Sequence, residues 1–150
     1  EVRTDPHIRP TVFRIPAQGP EADLVAVMMP INGAFAGVYE AIRNAVEGSG
    51  LRCQRADDIF DEAEIMQDVF SLLYRSRAVI CDFSGRNPNV FYEAGIAHTL
   101  GRDVIPLVQD IREVAFDVGH HRHITYTTSA EGLARLTVEL QHRIGVIAAR

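Results

Sequence analysis

The chain has 150 residues, enough for one domain with a substantial core and cramped for two. With 47% hydrophobic and 23% charged residues and no Trp, it has ordinary globular composition, which excludes a disordered chain or a coiled coil. A net charge of -5 argues against a nucleic-acid partner, whose phosphates demand a basic surface, and leaves a small-molecule ligand open.

Residues 1–22 hold four of the seven prolines and no sustained period, which reads as an extended N-terminal arm or linker ahead of a domain spanning 23–150. "DLVAVMM" (23–29) is the first strand. A helix near 35–48 follows, with Phe35, Val38, Tyr39, Ile42, Ala45 and Val46 at helical spacing, and Gly48 and Gly50 stop it. "LRCQRA" (51–56) is the second strand. The helix expected over 62–75 puts Ile65, Met66, Val69, Phe70, Leu72 and Leu73 on its inner face, with Arg75 and Arg77 near its C-terminal end, where the dipole favours cations. Then come the strand "AVICDF" (78–83), a helix opened by "NPN", the strand "DVIPLV" (103–108), an irregular stretch, the strand "HITYT" (123–127) and a helix over about 129–147.

Strands alternating with helices in this way imply a three-layer α/β/α, flavodoxin-like fold: a five-stranded parallel sheet in the order 2-1-3-4-5, joined by right-handed crossovers. Ligands of such sheets bind beyond the C-terminal strand ends where the order reverses, here between strands 1 and 3. The loops "PINGAF" and "SGRNPN" meet there, and the loop after strand 2 brings Asp57 and Asp58 to the same edge. Adjacent residues point different ways, so at most one of the two faces a ligand, and both serve equally well as caps of the next helix.

Asn87 can cap the helix that follows strand 3, with Pro88 in its first position, where a missing amide hydrogen costs nothing. Glu93 then falls in the second turn, on a stripe with Asn89, Ile96, Ala97 and Leu100. This stripe is polar above Glu93 and apolar below it, and Gly95 and Ala97 are expected to let the helix lie close to the sheet. Burial raises the pKa of such a carboxylate while a helix N-terminus lowers it, so the sign is open at this stage; an acidic residue near a helix start also has a plain role in complementing the dipole.

Several signals are absent. No run approaches the roughly 18 apolar residues of a membrane span, and there is no signal-peptide pattern. Cys53 and Cys81 both lie in strand-like runs, as buried reduced thiols do, so a cytoplasmic setting is expected. The chain opens on Glu1 rather than Met, as a piece of a longer protein would. "GHHRH" gathers three histidines but lacks partners at zinc spacing, and neither a dinucleotide nor a phosphate-loop fingerprint follows strand 1; no metal and no cofactor are expected.

Taken together, "VMMP" (27–30), "VYEAI" (38–42), "RADDIF" (55–60), "DFSGRNPNVFYEAGIAHTLGR" (82–102) and "FDVGHHRHITY" (116–126) resemble the nucleoside 2-deoxyribosyltransferase-like and TIR-like superfamily of bacteria, over about residues 23–145. The resemblance implies an enzyme that cleaves or transfers the N-glycosidic bond of a nucleoside or nucleotide, with Glu93 as nucleophile on C1'. An attacking carboxylate traps an oxocarbenium-like transition state as a glycosyl-enzyme and splits one hard step into two. The family also supplies an Asp from the helix before strand 3 to protonate the leaving base. Val69 occupies that position and Asp68 is next to it, rotated by about 100° on the helix. Asp82, at the end of strand 3, could orient the sugar or simply form a turn. Met29, Pro30 and Phe35 could wall a base pocket, although Phe35 fits its helix core equally well. Asp57, Asn87 and Asn89 are further substrate-side candidates, and Ser84 and Gly85 could offer donors to a phosphate. The alternatives are a TIR-like NAD glycohydrolase and a non-catalytic nucleotide-sensing module. Relatives of this kind imply a homodimer or larger assembly.

Overall fold

The computed structural model describes residues 8–56, 65–114 and 122–150. Within it Leu24–Met28 (β1) and Ala78–Asp82 (β3) are buried at every position, which is what a central parallel strand requires when helices cover both faces. Arg52–Arg55 (β2), Asp103–Val108 (β4) and Ile124–Thr125 (β5) complete a five-stranded, all-parallel sheet in the order β2-β1-β3-β4-β5. This is the flavodoxin-like arrangement that the alternating pattern predicts.

Strand alternation sorts the core into two layers. Val25, Val27, Ile80, Ile105 and Leu107 face Ala36–Gly48 (α1) and Ala130–Ala148 (α4), packing on Val38, Ile42, Leu136 and Leu140. Leu24, Ala26, Met28, Val79 and Cys81 face Ile65–Arg75 (α2) and Pro88–Thr99 (α3), packing on Phe70, Leu72, Leu73, Val90 and Ala94. Cys81 is buried and Cys53 half-buried, and the two are not joined in a disulfide.

Three expectations need correction. β5 pairs only through Ile124 and Thr125, because it meets β4 at Leu107 and Val108 alone and stops there. Ile65 and Met66 are exposed rather than part of the inner face of α2, which starts its burial at Val69. Gly95 does not seat α3 against the sheet: it is exposed, and a Cβ built on it meets nothing within 4 Å, whereas Ala94 and Ala97 make the close contact. The glycine that packing does require is Gly132, where a Cβ would collide with the Thr127 hydroxyl and carbonyl, so the first turn of α4 can lie directly on the chain leaving β5.

The described part of the arm packs on α2. The Phe13 ring stacks on Phe70 with centroids 4.7 Å apart, and the Gln67 amide accepts from the Arg14 N–H at 2.8 Å while donating to the Arg14 carbonyl at 2.9 Å. Further along, the Glu21 carboxylate bridges Arg75 at 2.7 Å and Arg52 at 2.6 Å, joining the end of α2 to β2.

Arg102 closes the same C-terminal end of α2. Although only 4% exposed, its guanidinium donates to the carbonyls of Tyr74 at 2.7 Å and Leu100 at 2.8 Å, with a longer contact to Leu73 at 3.3 Å. A fork of five donors thus satisfies the last carbonyls of α2 and α3 together, at the ends where the helix dipoles favour a cation. Arg102→Met is expected to lower the free energy of unfolding by about 3 kcal/mol, because it strands these carbonyls; Arg102→Lys should recover only part of the loss. Urea titration of the three proteins measures both.

Candidate functional site

The C-terminal ends of β1 and β3 are built differently. After β1, Met29 is 5% exposed within the α1/α4 core and Pro30 is buried as well. Asn32 accepts from the Ala34 N–H at 3.0 Å and opens a single turn that leads into α1, and Phe35, half-buried, packs on the same core. Of the three residues expected to wall a base pocket, Met29 and Phe35 therefore have core contacts of their own.

After β3 the chain turns through Gly85 at φ 75° and Arg86 at φ 55°. Glycine suits the first; the second, an L side chain in the left-handed region, is held by its own N–H to the Phe83 carbonyl at 3.1 Å and by its guanidinium to the Arg112 carbonyl at 3.1 Å. The other two backbone donors of this turn are engaged as well. The Ser84 N–H donates to Asp82 Oδ1 at 2.9 Å and the Gly85 N–H to Glu113 Oε2 at 3.0 Å, so a phosphate arriving at Gly85 has to displace a carboxylate already there.

Asp82 is fully buried and well supplied with donors. Tyr126 donates its hydroxyl to Oδ2 at 2.5 Å, and the Gln109 side-chain amide donates to the Tyr126 oxygen at 3.2 Å. Ser84 Oγ accepts from the Gln109 backbone N–H at 2.9 Å. Burial pushes the Asp82 carboxyl above its usual range, against the pull of the bonds from Ser84 and Tyr126, and burial together with the Asp82 charge pushes the Tyr126 phenol up. By alternation from Ile80 and Cys81, this side chain points to the α1/α4 face, where Tyr126 also packs.

Glu93 lies on the other face. Asn87 accepts from the Asn89 N–H at 2.9 Å and Pro88 fills the first turn, as the "NPN" motif predicts, which sets Glu93 in the second turn of α3. Asn89 is exposed. Val90, Ala94 and Ala97 anchor the helix in the α2/α3 core, and Glu93 sits half-buried beside them, close enough for its charge to raise the Cys81 thiol pKa. Among the described residues nothing donates to its carboxylate, and burial alone pushes its pKa to about 7. This is a group that exchanges protons at neutral pH and carries no structural bond there.

Asp68 is half-buried on α2, while Val69 is 3% exposed in the α2/α3 core; the position that would carry the family's acid is thus filled by a packing residue. Asp57 and Asp58 lie outside the described residues. Sequence reasoning did not single out Tyr126, Gln109 or Glu113. The available signal was Asp82 itself, since a carboxylate ending a buried strand must find donors, and the strand end two over, past β4, offers a tyrosine. Among the described residues no group of three metal-ligating side chains gathers, and no helix is long and apolar enough to cross a membrane.

No protein-family model and no curated protein matches the sequence. Solved structures do match in fold. A 2-deoxyribosyltransferase from Leishmania mexicana aligns with TM-score 0.55 and 14% identity over 77% of this chain and 97% of its own. A metazoan TIR-STING receptor from C. gigas, in complex with 2',3'-cGAMP, aligns with TM-score 0.60 and 18% identity over 79% of this chain. Rubredoxin oxygen:oxidoreductase from Desulfovibrio gigas aligns with TM-score 0.60 and 10% identity over 88%. This chain spans 38% and 37% of the last two. At such identities the likeness is one of fold.

The Glu93 environment has a measurable consequence. Its carboxyl titrates near 7 in the folded chain against an ordinary 4.5, so between these values the folded state holds more protons than the unfolded one and stability falls as pH rises through the window. Glu93→Gln should match the wild type in stability near pH 4 and exceed it by about 1–2 kcal/mol at pH 8, allowing for partial exposure. Urea midpoints across that range read the effect; a variant weaker than the wild type at pH 8 would mean that a donor holds the carboxylate.

Proposed function

We propose that this chain breaks the N-glycosidic bond of a nucleoside or nucleotide through Glu93. The observation that carries the reading is a half-buried carboxylate without a described donor, titrating near neutrality, beside the sheet edge where this fold binds ligands. Its fold-level likeness to a deoxyribosyltransferase supports the same class. In the first step a Glu93 oxygen bonds to C1' as the C1'–N bond breaks, and the base leaves with the bonding pair and takes up a proton. Water or an acceptor base then attacks C1' from the opposite side and frees the carboxylate. Ionised Glu93 is the competent form, and positive charge developing on the sugar favours that form during the reaction.

Asp68 is the proposed proton source for the leaving base, because it stands on the helix neighbouring α3 next to the buried Val69. Asp82 is proposed to act on the sugar only through the 83–87 turn that it braces, since its own oxygens serve Ser84 and Tyr126. Asn87, Asn89, Ser84, Gly85, Met29, Pro30, Phe35 and Asp57 remain proposed substrate-side residues; Ser84, Gly85 and Asn87 lie on the turn that leads into α3 and Asn89 in its first turn. The proposed working form is a homodimer or larger assembly in the cytoplasm, with no cofactor.

A specific observation favours a second reading. Val69 is buried where an acid would help the base leave, which suits a nucleotide-sensing module that binds without efficient turnover. A TIR-like NAD glycohydrolase differs from the first reading in substrate alone. Wild type and Glu93→Gln incubated with nucleosides, deoxynucleosides, their monophosphates and NAD, with free base followed by chromatography, separate the three. The expected result is base release that rises with pH through about 7 and falls by at least about a hundredfold in the variant. Binding with no release from any compound establishes the sensor instead, and release from NAD alone the glycohydrolase.

A further inference from the structure

The outer side of α3 borders a cavity that the proposed reaction leaves unused. Phe13 and Pro10 of the arm, Phe70 of α2, and Phe91, Tyr92 and Gly95 of α3 line a space of about 540 Å³. Its walls are held in place. Phe70 lies between Phe13, stacked at 4.7 Å and 10°, and Tyr74 at 6.4 Å, and Phe91 stacks on the buried Phe83 at 4.7 Å. The Gln67 amide, bonded to both the N–H and the carbonyl of Arg14, ties down the arm next to it.

Gly95 is the floor of this cavity, and nothing else in the fold asks for a glycine there. It sits inside a helix, where glycine is disfavoured; it is not among the residues with positive φ; and a Cβ on it would meet no atom within 4 Å. What the missing side chain does is keep the space open.

We propose that this groove is a binding site for a flat aromatic or heteroaromatic small molecule, seated over Gly95 between Phe70 and Phe91. The volume falls within the roughly 300–1,000 Å³ of small-molecule sites, which are mostly apolar and preformed. Ring walls favour a ring ligand, through offset stacking or edge contact. A macromolecular occupant fits poorly. From Tyr92 to Thr99 the floor is about 10 Å long at 1.5 Å per residue, the arm already roofs one side, and a stable protein partner needs about 800 Å² per side. Among the described residues the lining holds one charged side chain, Arg9, and no carboxylate, so a ring without a positive charge is the better match.

The test uses indole, quinoline and 2-naphthol as probes, titrated to low millimolar into the ¹⁵N-labelled full chain. Saturable shifts of the Gly95, Ile96 and Thr99 amides are expected for at least one probe. Gly95→Leu, which enters open space at its Cβ, should keep the wild-type circular dichroism and melting temperature while weakening that binding at least tenfold, and Gly95→Ala should fall between. Absence of saturable shifts with all three probes overturns the proposal, and so does undiminished affinity in a folded Gly95→Leu. A wild-type dimer whose contacts protect these same amides also overturns it, because the occupant is then a second copy of the chain.

Discussion

The central strands of a parallel sheet covered on both faces have no place for a polar side chain except where they end, and this constraint sets where the polar groups of the molecule gather. β1 and β3 are apolar or small along their length until β3 closes on Asp82, and α3 begins a few residues later. Both carboxylates of interest, Asp82 and Glu93, therefore fall at the margin between the core and water. For both, burial is the largest cause of a raised pKa. The strand order puts the switch point between β1 and β3, and these two carboxylates are the polar groups that survive near that margin.

The two carboxylates have opposite fates, and the contrast is informative. Asp82 faces the α1/α4 layer and receives the Ser84 N–H and the Tyr126 hydroxyl, so that its charge is compensated and the ends of β3 and β5 are tied together; Gln109, at the end of β4, joins the same network. Glu93 faces the α2/α3 layer and has no described donor. Among the described residues one carboxylate of this region is thus supplied with donors and the other is not. Because they occupy opposite faces, the pair does not form a shared-proton dyad.

Much of this was legible in the sequence. Strand order, the Asn87 and Pro88 start of α3 and the position of Glu93 all follow from period and capping, because these depend on residues close along the chain. What was not legible depends on distance across the fold. The Tyr126 hydroxyl reaches Asp82 over 44 positions, and the Arg102 guanidinium reaches the carbonyl of Tyr74 over 28. Neither leaves a local pattern: Tyr126 reads as one more apolar strand residue and Arg102 as a surface charge before β4. Ile65 and Met66 were misassigned for a related reason. Helical spacing marks which residues share a side of α2, but not where along its axis the sheet begins to cover that side.

Gly95 carries the same lesson further. In a motif dense with small residues, a glycine reads as a close approach of backbones, and Ala94 and Ala97 do make that approach. One residue past Ala94 the helix has turned by about 100°, and the same small size has the opposite meaning: it leaves a hollow under the arm where the others remove one. α3 is thus used on three sides, with its core face on the sheet, Glu93 at the rim and Gly95 under the aromatic walls. A helix asked to do three things has no single polar face to spare, which is why this stretch shows so little amphipathic contrast and why its residues are the most distinctive in the chain.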